Sequence, residues 1–268
     1  VRTVALVAGA VFKESVRDRV PYSMVAFAVL LIAASYLISQ LTAGQDLKII
    51  KDLGLAAISW FGLLIAIFIG IGLVSKEVER RSVFALLSKP LTRGQFILGK
   101  YAGLVFTLVA NLSAMTVAFA VVLASMDAVA LPEARAGWPA PALDPRLLTG
   151  VVLTVAELMI VTALALFFST FSSPLLSALL TFGLWVAGHF NQDLRNFETV
   201  LDVPAMVWLA RALYYLLPNL APFNVRAEVA HGVDVPTGDV LLTLAYAAVY
   251  IAVLLVASIA VFRRRDFK

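Results

Sequence analysis

The chain contains no cysteine and only two histidines and five methionines among 268 residues. Without cysteine there is no disulfide framework and no thiolate metal site. Two histidines, His189 and His231, have no acidic pair at ligand spacing, so no metal site is expected. Charge is scarce too. Asp, Glu, Lys and Arg make up 14% of the residues, against about 25% in soluble domains. Hydrophobic residues reach 62% and the mean hydropathy is +0.95. An apolar excess of that size, gathered into long runs, has to face lipid. The composition therefore predicts an all-α polytopic integral membrane protein. The opening stretch sets Lys13, Arg17 and Arg19 beside Glu14 and Asp18, which does not match a secretory leader.

Six segments are apolar and long enough to cross: 21–41, 55–75, 100–126, 147–170, 174–190 and 239–262. About 20 residues at 1.5 Å each cover the ~30 Å hydrocarbon core. The fifth is the shortest, and only Phe171-Ser172-Ser173 separates it from the fourth, which forces a tight helical hairpin. Lys and Arg set the orientation. Residues 1–20, 76–100 and 263–268 hold fourteen basic residues, against seven in 42–54, 127–146 and 191–238. The basic side is read as cytoplasmic, with both termini inside. In residues 1–20, Val4, Val7, Val11 and Phe12 recur at helical spacing ahead of the basic cluster. That fits an interfacial helix under the inner leaflet, with a frayed basic leader as the alternative.

Residues 94–101 read GQFILGKY, one position short of a phosphate-binding P-loop. A working P-loop follows a strand, stays glycine-rich and supplies Ser or Thr to Mg²⁺. Here Tyr101 takes the last place, Gln95-Phe96-Ile97-Leu98 favour helix, and Pro90 precedes. Thr92 and Gln95 instead have capping-box spacing, which makes GQFILGKY the first two turns of the third span. Gly99 and Gly103 form a GxxxG that lets another helix approach, and Lys100 is expected to snorkel to the headgroups. No nucleotide site is visible in the chain.

The stretch from Ser75 to Phe96, SKEVERRSVFALLSKPLTRGQF, predicts a short charged and apolar helix broken at Pro90. Val78, Phe84 and Leu87 could bury against a partner inside a rim of Glu77, Glu79, Arg80 and Arg81. A plain basic loop resting on headgroups fits the same residues. Together with FFSTFSSPLLSALL (167–180), ALYYLLPNLAPFNVRAEVAHG (212–232) and FRRRDF (262–267), this loop resembles the permeases of ABC-2 type transporters. The likeness is greatest to the six-helix multicopper-enzyme-maturation and nitrous-oxide-reductase-maturation group, and it covers nearly the whole chain. The resemblance implies a single transmembrane domain over 1–268. Its parts are a connecting helix (1–20), spans one and two (21–75), a cytoplasmic coupling loop (76–99), spans three to five (100–190), an outer loop (191–238), and span six with a basic tail (239–268). It implies a non-enzymatic subunit with no cofactor of its own, paired with a separate ABC ATPase that binds ATP and Mg, commonly as two permeases and two ATPases. Glu77, Val78, Glu79, Arg80, Arg81, Phe84 and Leu87 would then form the coupling helix. Further implied partners are a second copy or a related permease, membrane lipid and a periplasmic accessory protein, with no nucleic acid. The implied location is a bacterial or archaeal cytoplasmic (inner) membrane.

Glu157 and Asn111 lie near the midplane, Glu157 ten residues into the fourth span and Asn111 in the third. An ionisable group there costs on the order of 2–3 kcal/mol, so it should face the interior and find a partner. Asn111 or another interior group is expected to meet Glu157, which burial favours in its neutral form. The pairing either pins helices together or transmits motion between them. The outer loop 191–238 turns apolar at 204–217 around Arg211, before Pro218 and Pro222, as an interfacial or re-entrant helix would. The resemblance places an outer gate there, at Arg211, Pro218 and Asn219, and His189 and His231 beside it read as ordinary polar surface. A membrane enzyme would need paired catalytic groups at depth, which are missing. A stand-alone channel or ion-driven carrier is the alternative function, though inverted repeats and broken midplane helices are not evident. Substrate stays open between a lipid, a hydrophobic drug-like molecule, a sulfur species and purely mechanical work.

Overall fold

A computed structural model of the chain describes residues 2–17, 19–39, 46–79, 92–190 and 217–264. Within them lie α1 (Arg2–Arg17), α2 (Arg19–Ser39), α3 (Asp46–Glu79), α4 (Arg93–Val129), α5 (Pro132–Ala136), α6 (Arg146–Ser169) and α7 (Pro174–His189). A 3₁₀ turn (Ala221–Phe223), α8 (Arg226–Ala230) and α9 (Thr237–Arg264) complete the chain, and the described residues contain no strand. Among the described residues, four helices are long and apolar enough to cross a bilayer: Leu47–Ile71, Arg93–Val129, Arg146–Ser169 and Thr237–Arg263. Shorter apolar helices cover Tyr22–Ala34 and Pro174–His189. The protein is an all-α, multi-pass membrane protein.

Burial sorts the helices into layers. The apolar windows of α3 and α6 are each 72% buried, while those of α4 and α9 are 28% and 17% buried. So α3 and α6 pack together at the centre, with α2, α4, α7 and α9 around them presenting Phe27, Phe106, Leu179 and Val253 outward. Lipid is as apolar as these side chains, so helix association here depends on close packing rather than on water exclusion. At the α3–α6 contact, small residues provide it. A Cβ placed on Gly62 would sit 2.5 Å from Leu158 Cδ1, and one on Gly70 would sit 2.6 Å from Ala165 Cβ.

GQFILGKY is helical. Thr92 Oγ1 accepts from the Gln95 amide (3.3 Å) and Gln95 Oε1 accepts from the Thr92 amide (3.3 Å), a complete capping box at the start of α4. The helix that uses the GxxxG is α1. It runs alongside the first turns of α4, with Val4 and Val7 at Gly99, Ala8 and Val11 at Gly103, and Phe12 edge-on to Phe106 (5.3 Å between centroids). Its other side, at Ala5, Leu6, Gly9, Ala10, Lys13 and Glu14, is exposed. Lys100, expected among headgroups, is instead buried. Its Nζ lies 4.8 Å from the centre of the Phe96 ring, and Phe96 stacks on Phe262. Helices α1 and α9 both cover this part of α4, so the lysine stem points into protein.

The α6–α7 hairpin is tight, with four residues, 170–173, between the two helices. Thr170 and Ser172 hydroxyls donate to the carbonyls of Phe167 (2.7 Å) and Phe168 (2.9 Å), filling acceptors that the end of α6 leaves open. Pro174 then starts α7, where a missing N–H costs nothing. Arg93 Nη1 donates to the carbonyls of Phe262 (3.2 Å) and Arg263 (2.7 Å), so the end of α9 lies against the start of α4. The helices at the two termini therefore share one end of the bundle, called here the basic end.

Candidate functional site

The far end is closed by two chain segments. Lys51 near the start of α3 donates from Nζ to the Pro141 carbonyl (2.8 Å). Arg146, opening α6, forms a two-pronged pair with Asp234 (Nε–Oδ1 2.5 Å, Nη2–Oδ2 3.2 Å) and also reaches Asp144 Oδ2 (3.2 Å). Asp234 is largely exposed, and the Arg146 hydrogen bond and charge hold its carboxyl below the usual carboxylate range. Residues 217–230 fold back onto the bundle. The Leu220 amide donates to the Gly188 carbonyl at the last turn of α7 (3.0 Å). Only glycine fits there, because a Cβ on Gly188 would stand 2.8 Å from the Pro218 carbonyl oxygen and 2.9 Å from Leu220 Cδ1. Leu220, Phe223 and Val229 are fully buried, with α8 against α3 and α6.

Beneath this cover lies the polar centre of the bundle. Glu157, on α6, is 3% exposed. Its Oε1 accepts from Trp185 Nε1–H of α7 at 2.6 Å and lies 3.5 Å from His189 Nε2, one turn further along. His189 Nδ1 is 3.0 Å from the Trp185 carbonyl. A carbonyl only accepts, so the proton on that side belongs to Nδ1. The gap between His189 Nε2 and Glu157 Oε1 then needs a proton of its own to be attractive, whichever group carries it. Trp185 packs against Trp60 of α3 (5.3 Å), Phe182 (5.9 Å) and the His189 ring (4.7 Å). One buried carboxyl thus ties α6 to α7, and α7 to the folded-back segment through Gly188.

The structure brings some predicted residues together and separates others. Glu157 finds Trp185 and His189, not Asn111. Asn111 Nδ2 donates to the Thr107 carbonyl of its own helix (2.7 Å), the back-bond that short polar side chains make when no partner faces them. His189 is correspondingly not ordinary polar surface, since its side chain is 19% exposed and faces Glu157. His231 is exposed, as a surface residue should be. Sequence reasoning missed Trp185, whose indole sits 28 residues after Glu157. Equal distances from the hairpin, twelve residues back and twelve forward from Ser169 and Ser173, could have paired them. Pro218 is buried, and the Asn219 amide donates to the Tyr246 hydroxyl of α9 (2.9 Å). Glu77, Val78 and Glu79 form the last turn of α3. Arg80, Arg81, Phe84, Leu87 and Arg211 lie outside the described residues.

The GxxxxGK sequence is consumed as the first turns of α4, and the described residues contain no strand that could carry a phosphate-binding loop. What remains is a membrane domain with a buried polar tie, a segment folded back over the end opposite α1, and a charged last turn of α3. No curated protein matches the chain. The family described as ABC-2 family transporter protein matches residues 6–267, nearly its full length. A multi-pass helical bundle is the membrane part of such a transporter, and the chain belongs to the ABC-2 transporter family as a permease subunit.

Proposed function

We propose that this permease is driven by a separate ATP-binding subunit that docks on the loop between α3 and α4. The observation that supports this is the length of α3. It runs past Val74, where the apolar stretch ends, through Lys76, Glu77 and Glu79, and α4 restarts at the capped Thr92. Between those two helix ends the sequence of 80–91 reads RRSVFALLSKPL. Glu77, Val78, Glu79, Arg80 and Arg81 would form the charged rim of the contact, and Phe84 and Leu87 its buried anchors. ATP and Mg belong to the partner. Two permeases and two ATPases make the working unit, the two permeases being copies of this chain or relatives. The two-to-one excess of basic residues supports placing the basic end in the cytoplasm of a bacterial or archaeal cell.

The transmitted motion would pass along α6 and α7 to the outer segment, with Arg211, Pro218 and Asn219 at the gate. The outcome is outward movement of a substrate or mechanical work on the far side of the membrane. Purification from native membranes in mild detergent tests the proposal. A stoichiometric P-loop ATPase should accompany the chain and be lost when Phe84→Asp and Leu87→Asp are combined. A well-folded chain that emerges alone from several detergents would overturn the reading in favour of a stand-alone channel or carrier.

A further inference from the structure

The basic end carries a cavity of about 530 Å³, bounded by Thr92, Arg93 and Gly94 at the start of α4 and by Ile259 and Arg263 near the end of α9. Two guanidinium groups from different helices line it, and no acidic side chain does. Arg93 is anchored by Nη1 to the Phe262 and Arg263 carbonyls. A guanidinium has five N–H donors, more than those two carbonyls engage. Arg263 is exposed. One helical turn deeper, the surface becomes apolar. Leu98 lies four residues beyond Gly94 and Val256 three before Ile259, and they are 41% and 67% exposed. Cations thus stand at the membrane face above an apolar rail that points into the bilayer.

We infer that this cavity binds the headgroup of an anionic phospholipid, with its acyl chains laid along Leu98 and Val256. Arginine suits the role because its planar fork engages two phosphate oxygens at once. A zwitterionic headgroup presents the same phosphate, but its own cation offsets the attraction. A free phosphate would satisfy the guanidiniums and leave the rail without an occupant. Each arginine near an anionic membrane surface contributes about 1 kcal/mol, roughly a fivefold preference. The inference is independent of how the ATPase docks.

The test is lipid retention. The full chain is reconstituted in nanodiscs of equal phosphatidylglycerol and phosphatidylcholine, extracted, and the co-purifying lipids are quantified by mass spectrometry. Phosphatidylglycerol should be enriched in the wild type, and Arg263→Gln should lower that enrichment about fivefold. Arg93→Gln should lower it further, but this arginine also ties α9 to α4, so Arg263→Gln is the deciding variant. Arg135→Gln, far along the chain in α5, should leave retention unchanged. An unenriched wild type, or an Arg263→Gln chain that retains lipid as the wild type does, would refute the site. Thermal stabilisation of the detergent-solubilised chain by inorganic phosphate equal to that by phosphatidylglycerol would also overturn it, since the ligand would then be a free anion.

Discussion

Gly99→Ala and Gly103→Ala should each loosen α1 from the bundle. A methyl group on Gly103 would lie 2.7 Å from the Ala8 carbonyl oxygen and 2.7 Å from Val11 Cβ, about 0.7 Å inside the 3.4 Å at which ordinary contact begins. On Gly99 it would meet Val7 Cβ at 2.6 Å. These obstacles are backbone and first side-chain carbons, which cannot swing aside, so all of α1 must retreat. Overpacking of this kind costs about 1–3 kcal/mol. Glycine to alanine in a helix also gains about 1 kcal/mol of propensity, which would mask part of the loss. Gly9→Ala is the matched control, because nothing lies within 4 Å of a Cβ there. Equilibrium unfolding in mixed micelles should place Gly103→Ala about 1–3 kcal/mol below Gly9→Ala, since the propensity gain is common to both. The double variant should cost less than the sum, because once α1 has moved the second methyl meets an open gap. The chain has no native cysteine, so Ala8→Cys alone reports the gap, and its maleimide labelling should accelerate in the glycine variants. Equal stability of Gly103→Ala and Gly9→Ala, with unchanged labelling, would refute close packing of α1 on α4.

Trp185→Phe keeps an aromatic ring but removes the indole N–H that donates to Glu157, which should cost about 1–3 kcal/mol by taking the short hydrogen bond from a buried carboxyl. Glu157→Gln keeps an oxygen for Trp185. Stability near that of the wild type with transport lost would make Glu157 more than a structural tie, whereas retained transport would confine it to that role. Acid should weaken the Arg146–Asp234 pair at the far end. The folded-state pKa of Asp234 lies below its unfolded value, so its contribution is present above about pH 4 and is lost as pH falls through the lowered value. Unfolding midpoints at pH 7 and pH 3 should therefore differ less for Asp234→Asn than for the wild type, and identical differences would remove the pair from the acid response.

Composition and local pattern determined a great deal about this protein. Long apolar runs made it a multi-pass helical membrane protein, because along a single apolar run lipid leaves the backbone no other way to satisfy its hydrogen bonds than to coil on itself. Thr92 and Gln95 turned a near P-loop into a capped helix start, and four residues, 170–173, fixed a hairpin. All of these are decided within a few residues of chain. The partners of Gly99, Lys100 and Glu157 are not. Gly99 announced that some helix would come close, but the choice of α1 depends on how Val4 and Val7 meet it in space. Lys100 had a stem long enough to reach the headgroups and lies instead under α1 and α9. Glu157 had to have a partner at depth, yet whether Asn111 or Trp185 faced it depended on the rotation of each helix about its axis. Apolar residues occupy nearly every face of these helices, so no stripe in the sequence marks which side turns inward, and that rotation is set only when the bundle packs.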